Sequence, residues 1–328
     1  MTILVTGATG FVGNNIVEAL LARGERVVGF GQGGMPANAL RAFARYGDAL
    51  ENVEGDVRDE ACVERLFATR RIEGMVHAAV ITAGVARERQ DVSAIVDVNV
   101  TGTARVLETA RRYGVGRIVH VSSGSAYGRS LFDCERLYED VTPERPQTMY
   151  QITKFAGERT ALRLRELHAL DLVCVRLGSV IGPWERDTGV RDTLSTHFQL
   201  AKMAALGETV LLPQREFRRD WVYCRDVAVA IAGLLSAPKL GHALYNISSD
   251  LTWGGLAPWC RKLQEIYPQF AYRVAGDGEK TNLGIAELQD RGVMDIGRLR
   301  QDVGYAPKYG PAQAYEDYAE WLRSYGGS

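Results

Sequence analysis

Along the first half of the chain, short apolar runs alternate with stretches whose apolar positions recur at helical spacing. Ile3-Leu4-Val5 reads as a buried strand. Asn14 to Arg23 reads as a helix that turns Ile16, Val17, Leu20 and Leu21 inward and ends at Gly24. The pattern then gives strands at Val27 to Phe30, at Gly74 to Ala79, at Arg117 to Ser122 and at Leu172 to Leu177, with helices from about Ile95 to Tyr113 and from Tyr150 to His168. A third strand region precedes Gly55-Asp56-Val57. Strands alternating with helices at this spacing predict an α/β fold, with a parallel sheet covered by helices on both faces.

The pattern changes after Leu177. Residues 182 to 220 hold polar loops and one helical stretch near Thr193 to Leu206, and all five tryptophans (Trp184, Trp221, Trp253, Trp259, Trp321) lie beyond position 180. This shift predicts a smaller region after the sixth strand, with the tryptophans filling a second core. Internal repeats and long linkers are absent from the sequence.

Composition narrows the class of molecule. Hydrophobic residues make up 46% and charged residues 24% of the 328, the balance of an ordinary soluble globular protein. A net charge of -1 gives no electrostatic footprint for nucleic acid or an anionic membrane, so neither is expected as a partner; a small molecule is. No apolar run approaches the ~18 to 20 residues of a membrane span, and Met1 leads almost directly into a strand, which predicts a cytoplasmic protein. Cys62, Cys134, Cys174, Cys224 and Cys260 are odd in number and scattered, so they read as free thiols, with no disulfide framework and no metal site.

Two local patterns carry chemistry. The first is Thr6-Gly7-Ala8-Thr9-Gly10-Phe11-Val12-Gly13, which follows a strand and opens an amphipathic helix. In that context Gly7 permits the tight turn, Gly10 lets backbone approach a pyrophosphate, and Gly13 lets the helix pack closely on the strand. The helix N-terminus offers free N–H groups to phosphate oxygens. Thr9, Phe11 and Val12 belong to the same wrap. Asp56 is placed to accept from an adenine amino group beside Val57; Ala78 and Ala79 end the fourth strand and leave room for a cofactor, and Asn99 follows in the next helix. The end of the second strand, where a carboxylate usually holds the ribose 2′-hydroxyl, falls on Gly31. No arginine follows directly, Arg41 being ten residues on, so the cofactor is NAD or NADP.

The second pattern is Tyr150-Gln151-Ile152-Thr153-Lys154, which puts a phenol and an ammonium one helical turn apart. Free tyrosine has a pKa of ~10, and bringing it near neutrality requires roughly 4 kcal/mol of differential stabilisation, which Lys154 and a positively charged nicotinamide supply. Tyr150 then takes a proton from a substrate hydroxyl as hydride leaves its carbon. Ser123, in Val121-Ser122-Ser123-Gly124-Ser125-Ala126-Tyr127-Gly128, is placed to hold the same oxygen.

With these motifs the chain resembles the extended short-chain dehydrogenases, specifically the NAD-dependent epimerase/dehydratase family. The resemblance extends through Val175-Arg176-Leu177-Gly178-Ser179-Val180-Ile181-Gly182-Pro183, Arg219-Asp220-Trp221-Val222-Tyr223-Cys224-Arg225-Asp226-Val227-Ala228, Tyr245-Asn246-Ile247 and Gly304-Tyr305-Ala306-Pro307. It implies a Rossmann-type, doubly wound sheet with a smaller C-terminal substrate-binding region. Residues 1–176 would form the dinucleotide-binding domain, with a return segment at 219–248, and residues 177–328 would mainly bind substrate. Ser123, Tyr150 and Lys154 would be catalytic, with Ser123, Ser125, Ser179 and Arg219 on the substrate. The family also implies a homodimer through a helix bundle. Family dehydratases carry Thr-Asp-Glu where this chain has Ser123-Gly124-Ser125, which disfavours elimination of water. Nucleotide-sugar epimerases typically have Asn where Ser179 stands, and glycines where this chain reads Pro213 to Arg219. The expected activity is hydride transfer at a hydroxyl-bearing carbon of a sugar-like substrate by an epimerase, with a net dehydrogenase or reductase as the alternative and a non-catalytic dinucleotide sensor as a third reading. Loops near residues 80 to 90, 125 to 140 and 182 to 192 are expected to shape the pocket.

Overall fold

The computed structural model describes residues 1–285 and 288–326 of the chain. Its centre is a seven-stranded sheet built from β1 (Thr2–Thr6), β2 (Arg26–Gly31), β3 (Leu50–Glu54), β4 (Gly74–His77), β5 (Ile118–Val121), β6 (Leu172–Leu177) and β7 (Leu244–Ile247). The strands lie in the order β7-β6-β5-β4-β1-β2-β3, and every neighbouring pair is parallel. The chain leaves β1 for β2 on one side and later resumes at β4 on the other. That reversal opens a crevice at the carboxyl ends of β1 and β4, where open α/β sheets bind ligands.

Alternation along β1 assigns the two faces. Ile3 and Val5 point into one apolar cluster and Leu4 into the other, because successive side chains of a strand face opposite ways. The first face is covered by α1 (Phe11–Ala22) and the second by α2 (Glu60–Ala68), α3 (Thr103–Arg112) and α4 (Met149–His168). Helix α1 ends where Gly24 adopts a φ of +79° and the amides of Gly24 and Glu25 turn back to Leu21 and Leu20. Helix α4 begins with a capping box: the Gln151 amide donates to Thr148 Oγ1 and the Gln151 side chain accepts from the Thr148 amide. This cap fixes the first turn of α4, which carries Tyr150.

Two expectations change. The single helix read from Ile95 to Tyr113 is three pieces: Val92–Val96, a wide π turn at Asp97–Gly102, and α3. The turn widens where Gly102 abuts Val57 and where Asn99 reaches the backbone of Ile81. The tryptophans do not form a core of their own. All five are buried, and they join α5 (Thr196–Ala205), α6 (Cys224–Ser236), α7 (Ala257–Ile266) and α8 (Pro311–Tyr325) in the same apolar cluster as α1. The Trp259 ring stacks on Tyr318 at 4.9 Å, and Trp184 meets Trp321 edge-on at 5.1 Å. The region beyond β6 is thereby packed directly onto the sheet. Among the described residues, no helix is long and apolar enough to cross a membrane.

Candidate functional site

The glycine loop lies at the sheet crevice and is sterically committed. Gly7 has a φ of +69°, and a Cβ there would meet the Ala78 carbonyl oxygen at 2.7 Å. A Cβ at Gly13 would stand 2.0 Å from the Gly7 carbonyl oxygen, so the helix-to-loop approach excludes any side chain. The first turn of α1 contains no acidic residue to occupy its free amides. A cavity of about 320 Å³ opens in front of them. Of the residues expected on the cofactor, Gly7, Thr9, Gly10, Phe11, Val12, Gly31, Asp56, Val57, Ala78 and Ala79 all line it. At Gly31 a Cβ would stand 2.9 Å from Thr9 Oγ1, so a side chain there requires the Thr9 side chain to shift.

Asp56 sits at the rim of this cavity, already engaged. It accepts from Gln32 Nε2 at 2.6 Å, from the Arg58 amide at 2.9 Å and from the Arg58 guanidinium at 2.7 and 2.9 Å. Burial raises its pKa, but the hydrogen bonds and charge of Arg58 and the bond from Gln32 outweigh that and hold the carboxyl below its usual range.

A second cavity of about 440 Å³ continues from the first, and Val12, Ala78, Val80, Thr82 and Arg191 line both. Its wall brings together Ser123, Ser125, Tyr150, Lys154, Ser179 and Arg219, residues from separate segments of the chain. Lys154 is buried and donates to the Val121 carbonyl at 2.6 Å, which aims its ammonium along the end of β5. Burial draws its pKa down to about 8, against the opposing charge of Glu158 one turn further along α4. Ser123 begins the short turn Gly124–Tyr127, and its Oγ accepts from the Ser125 amide at 3.1 Å. Behind these groups, Ser122 Oγ donates to Glu158 at 2.7 Å, and Glu158 pairs with Arg176, both fully buried. Arg176 lies over the Tyr127 ring at 4.3 Å. His77 and His120 stack at 5.4 Å beneath the site; burial first, and then the Lys154 charge, press both to the neutral form.

One expected contact is replaced. Asn99 lines neither cavity. Its side chain accepts from the Ile81 amide at 2.8 Å and donates to the Ile81 carbonyl and to Thr153 Oγ1, both at 3.0 Å. It fixes the segment that leaves β4 relative to α4, and its neighbour Val98 lines the first cavity instead.

The structure adds residues that periodicity does not reveal. Arg186, Thr188, Val190 and Arg191 line the first cavity from the loop after Trp184, and Asp220 and Arg291 line the second. Asp220 is fully buried, and burial raises its pKa to about 7 despite the nearby positive charges of Arg291 and Arg219. The sequence singled out the loop near residues 182 to 192 as shaping the pocket, but not which of its side chains face the cavity.

Comparison with known proteins places the architecture. Residues 3–248 match the NAD dependent epimerase/dehydratase family. The chain is 37% identical over 264 residues to sterol demethylase protein B of Methylococcus capsulatus, covering 80% of this chain and 74% of that one. It is 29% identical to UDP-glucose 4-epimerase of Mycolicibacterium smegmatis, covering 99% of each. The UDP-glucose 4-epimerase of Thermus thermophilus, solved in complex with NAD, superposes with a TM-score of 0.79 at 26% identity, over 98% of this chain and 99% of that one.

Proposed function

The chain belongs to the NAD-dependent epimerase/dehydratase family, and from that premise we propose that it is a nucleotide-sugar epimerase that oxidises a secondary alcohol and returns the hydride to the opposite face. The observation that carries this reading is the junction of the two cavities at Val12, Ala78, Val80, Thr82 and Arg191. Gly7, Gly10 and Gly13 would hold a dinucleotide in the first cavity, which adjoins the wall that bears Ser123, Tyr150 and Lys154. When bound, the nicotinamide ring supplies the hydride acceptor and donor.

The chain's own residues do the acid–base work. Ser123 hydrogen-bonds the reacting substrate oxygen and fixes it against Tyr150. Tyr150, held as the phenolate by the buried Lys154 ammonium, accepts the hydroxyl proton as the C–H bond breaks and becomes the neutral phenol. Both run in reverse when the carbonyl is reduced. Arg219, packed over Phe217 at 5.1 Å, supplies a cation for the diphosphate of the sugar nucleotide. Gly124 and Ser125 put no acid–base pair where the elimination of water would need one, which separates this site from that of a dehydratase.

A net dehydrogenase of an alicyclic or sugar alcohol is the second reading. Leu131, Leu177, Phe217, Trp221, Ile285 and Met294 give part of the substrate cavity an apolar lining, and one relative is a sterol demethylase protein. In either reading we propose that the enzyme works in the cytoplasm, its five cysteines all unpaired, and pairs with a second copy through a helix bundle, with Ile152 of α4 40% exposed.

The freshly purified protein decides between them. Absorbance of bound nucleotide that survives dialysis, with conversion of a UDP-hexose to its 4-epimer without added cofactor, is the expected result. Cofactor-free protein that reduces added NAD stoichiometrically with a free alcohol would overturn the epimerase.

A further inference from the structure

We propose that Arg186 is the counter-cation of the cofactor pyrophosphate, carried to the glycine loop by a strap that runs from Pro183 to Ser195. The proposal rests on the dinucleotide reading of the first cavity. It extends that reading to a residue some 180 positions from the glycine motif.

The strap is anchored on both sides of the crevice. At its root Asn15 of α1 donates to the Pro183 carbonyl at 2.9 Å, and Trp184 Nε1 donates to Glu18 at 2.9 Å. Further on, it pairs with the segment that leaves β4: the Thr82 amide donates to the Val190 carbonyl and the Thr82 carbonyl accepts from the Asp192 amide, both at 2.9 Å. Arg87 closes the tie, with two bonds to Asp192 at 2.7 and 2.8 Å and one to the Gly189 carbonyl. The paired residues Thr82 and Arg191 sit where the two cavities join, so the strap spans the waist of the dinucleotide path.

The arginines in and against this strap differ in their partners. Arg191 pairs with Glu185 at 3.0 Å, and Arg87 with Asp192. Arg186 has no acid against it: it donates from Nη2 to the Thr9 carbonyl at 3.0 Å, and its Nε is buried without a partner among the described residues. Burial alone shifts its pKa, downward, which agrees with the absence of a compensating carboxylate.

The place it occupies makes this informative. Thr9 directly precedes the N-cap of α1, where the helix presents free amides and partial positive charge. A cation there is repelled by the helix end, and a half-buried guanidinium without an anion is unfavourable. The carboxylate on the cavity wall, Asp56, is neutralised by Arg58. The arrangement is therefore electropositive from two directions and complete only with an anion between the guanidinium and the amides of α1. A pyrophosphate on the glycine loop is that anion, and its two phosphates suit the planar guanidinium fork. A ribose 2′-phosphate would present the same chemistry from a neighbouring position, near Gly31.

Arg186→Gln, in the full-length protein stripped of nucleotide, separates these sources. Titrations with NAD, NADP and adenosine are followed by tryptophan fluorescence and calorimetry at low and high salt, with thermal unfolding to confirm the fold. The expected result is a loss of roughly 10- to 100-fold in affinity for NAD, by the same factor for NADP, with adenosine unaffected and partial recovery in Arg186→Lys. The salt dependence of NAD binding falls in the variant. Unchanged NAD affinity, or a loss confined to NADP, overturns the proposal. Failure of the unsubstituted protein to bind either dinucleotide overturns the cofactor reading itself, and the proposal with it.

Discussion

Replacing Glu158 by Gln removes one charge from a pair that has no access to water. Glu158 and Arg176 side chains are both 0% exposed, joined by contacts of 2.6 Å to Nη2 and 2.9 Å to Nε. Removing one partner of such a pair leaves an uncompensated buried charge and costs about 3–5 kcal/mol. Two features place Glu158→Gln at the lower end. Glutamine keeps an acceptor oxygen, and Glu144, 25% exposed, still holds Arg176 Nη2 at 2.7 Å. The expected loss is about 3 kcal/mol, or roughly 100-fold in the ratio of folded to unfolded protein. Equilibrium urea unfolding reads it through the five buried tryptophans. The double variant Glu158→Leu/Arg176→Met is expected to cost well under the sum of its two singles, because apolar groups of similar size remove both desolvated charges together. A functional readout accompanies the stability one. The Glu158 charge raises the pKa of Lys154, so its loss drops that pKa further below about 8 and moves the alkaline limb of kcat/KM to lower pH. A Glu158→Gln variant within about 1 kcal/mol of the parent, or strictly additive singles, would refute the buried-pair argument.

Two other outcomes follow from the site. Tyr150→Phe removes the acid–base hydroxyl but leaves the glycine loop intact, so turnover is expected to fall by roughly 100-fold or more while the NAD dissociation constant stays within about twofold; retained turnover sinks the catalytic assignment. Asp220 is buried with its pKa raised to about 7, from 3.8. Its fold-stabilising contribution is present below the unfolded value and is lost as pH rises from about 4 to about 7, by up to roughly 4 kcal/mol. Asp220→Asn is expected to flatten that part of the stability profile, gaining on the parent between about pH 5 and about pH 8 in urea titrations; parallel profiles would show that Asp220 ionises freely in the folded protein.

What could be read before folding is what is encoded locally. The glycine loop is legible because the strand, turn and helix that define it are contiguous from Thr2 to Ala22. Tyr150 and Lys154 are legible because one helical turn fixes their relation whatever surrounds them. The wide turn at Asp97–Gly102 escaped the periodic pattern, since its cause lies in Val57 and Ile81, distant in sequence. Asn99 was misplaced for the same reason: a polar residue facing a site and one facing the backbone beside it look alike along the chain.

The sequence by itself therefore determined the alternating α/β order, the glycine loop and the Tyr150–Lys154 pair, because each depends on spacings of a few residues and, in the loop, on Gly7 and Gly13, where a Cβ would meet backbone. Only the tertiary structure decided which cations meet which anions. It brought Arg186 to Thr9 across 177 positions, tied the strap to Thr82 and Arg87, and merged the tryptophan-rich C-terminal region with the sheet's core. Such contacts follow from packing and from Coulomb forces between groups far apart in the chain, and these leave no period in the sequence to read.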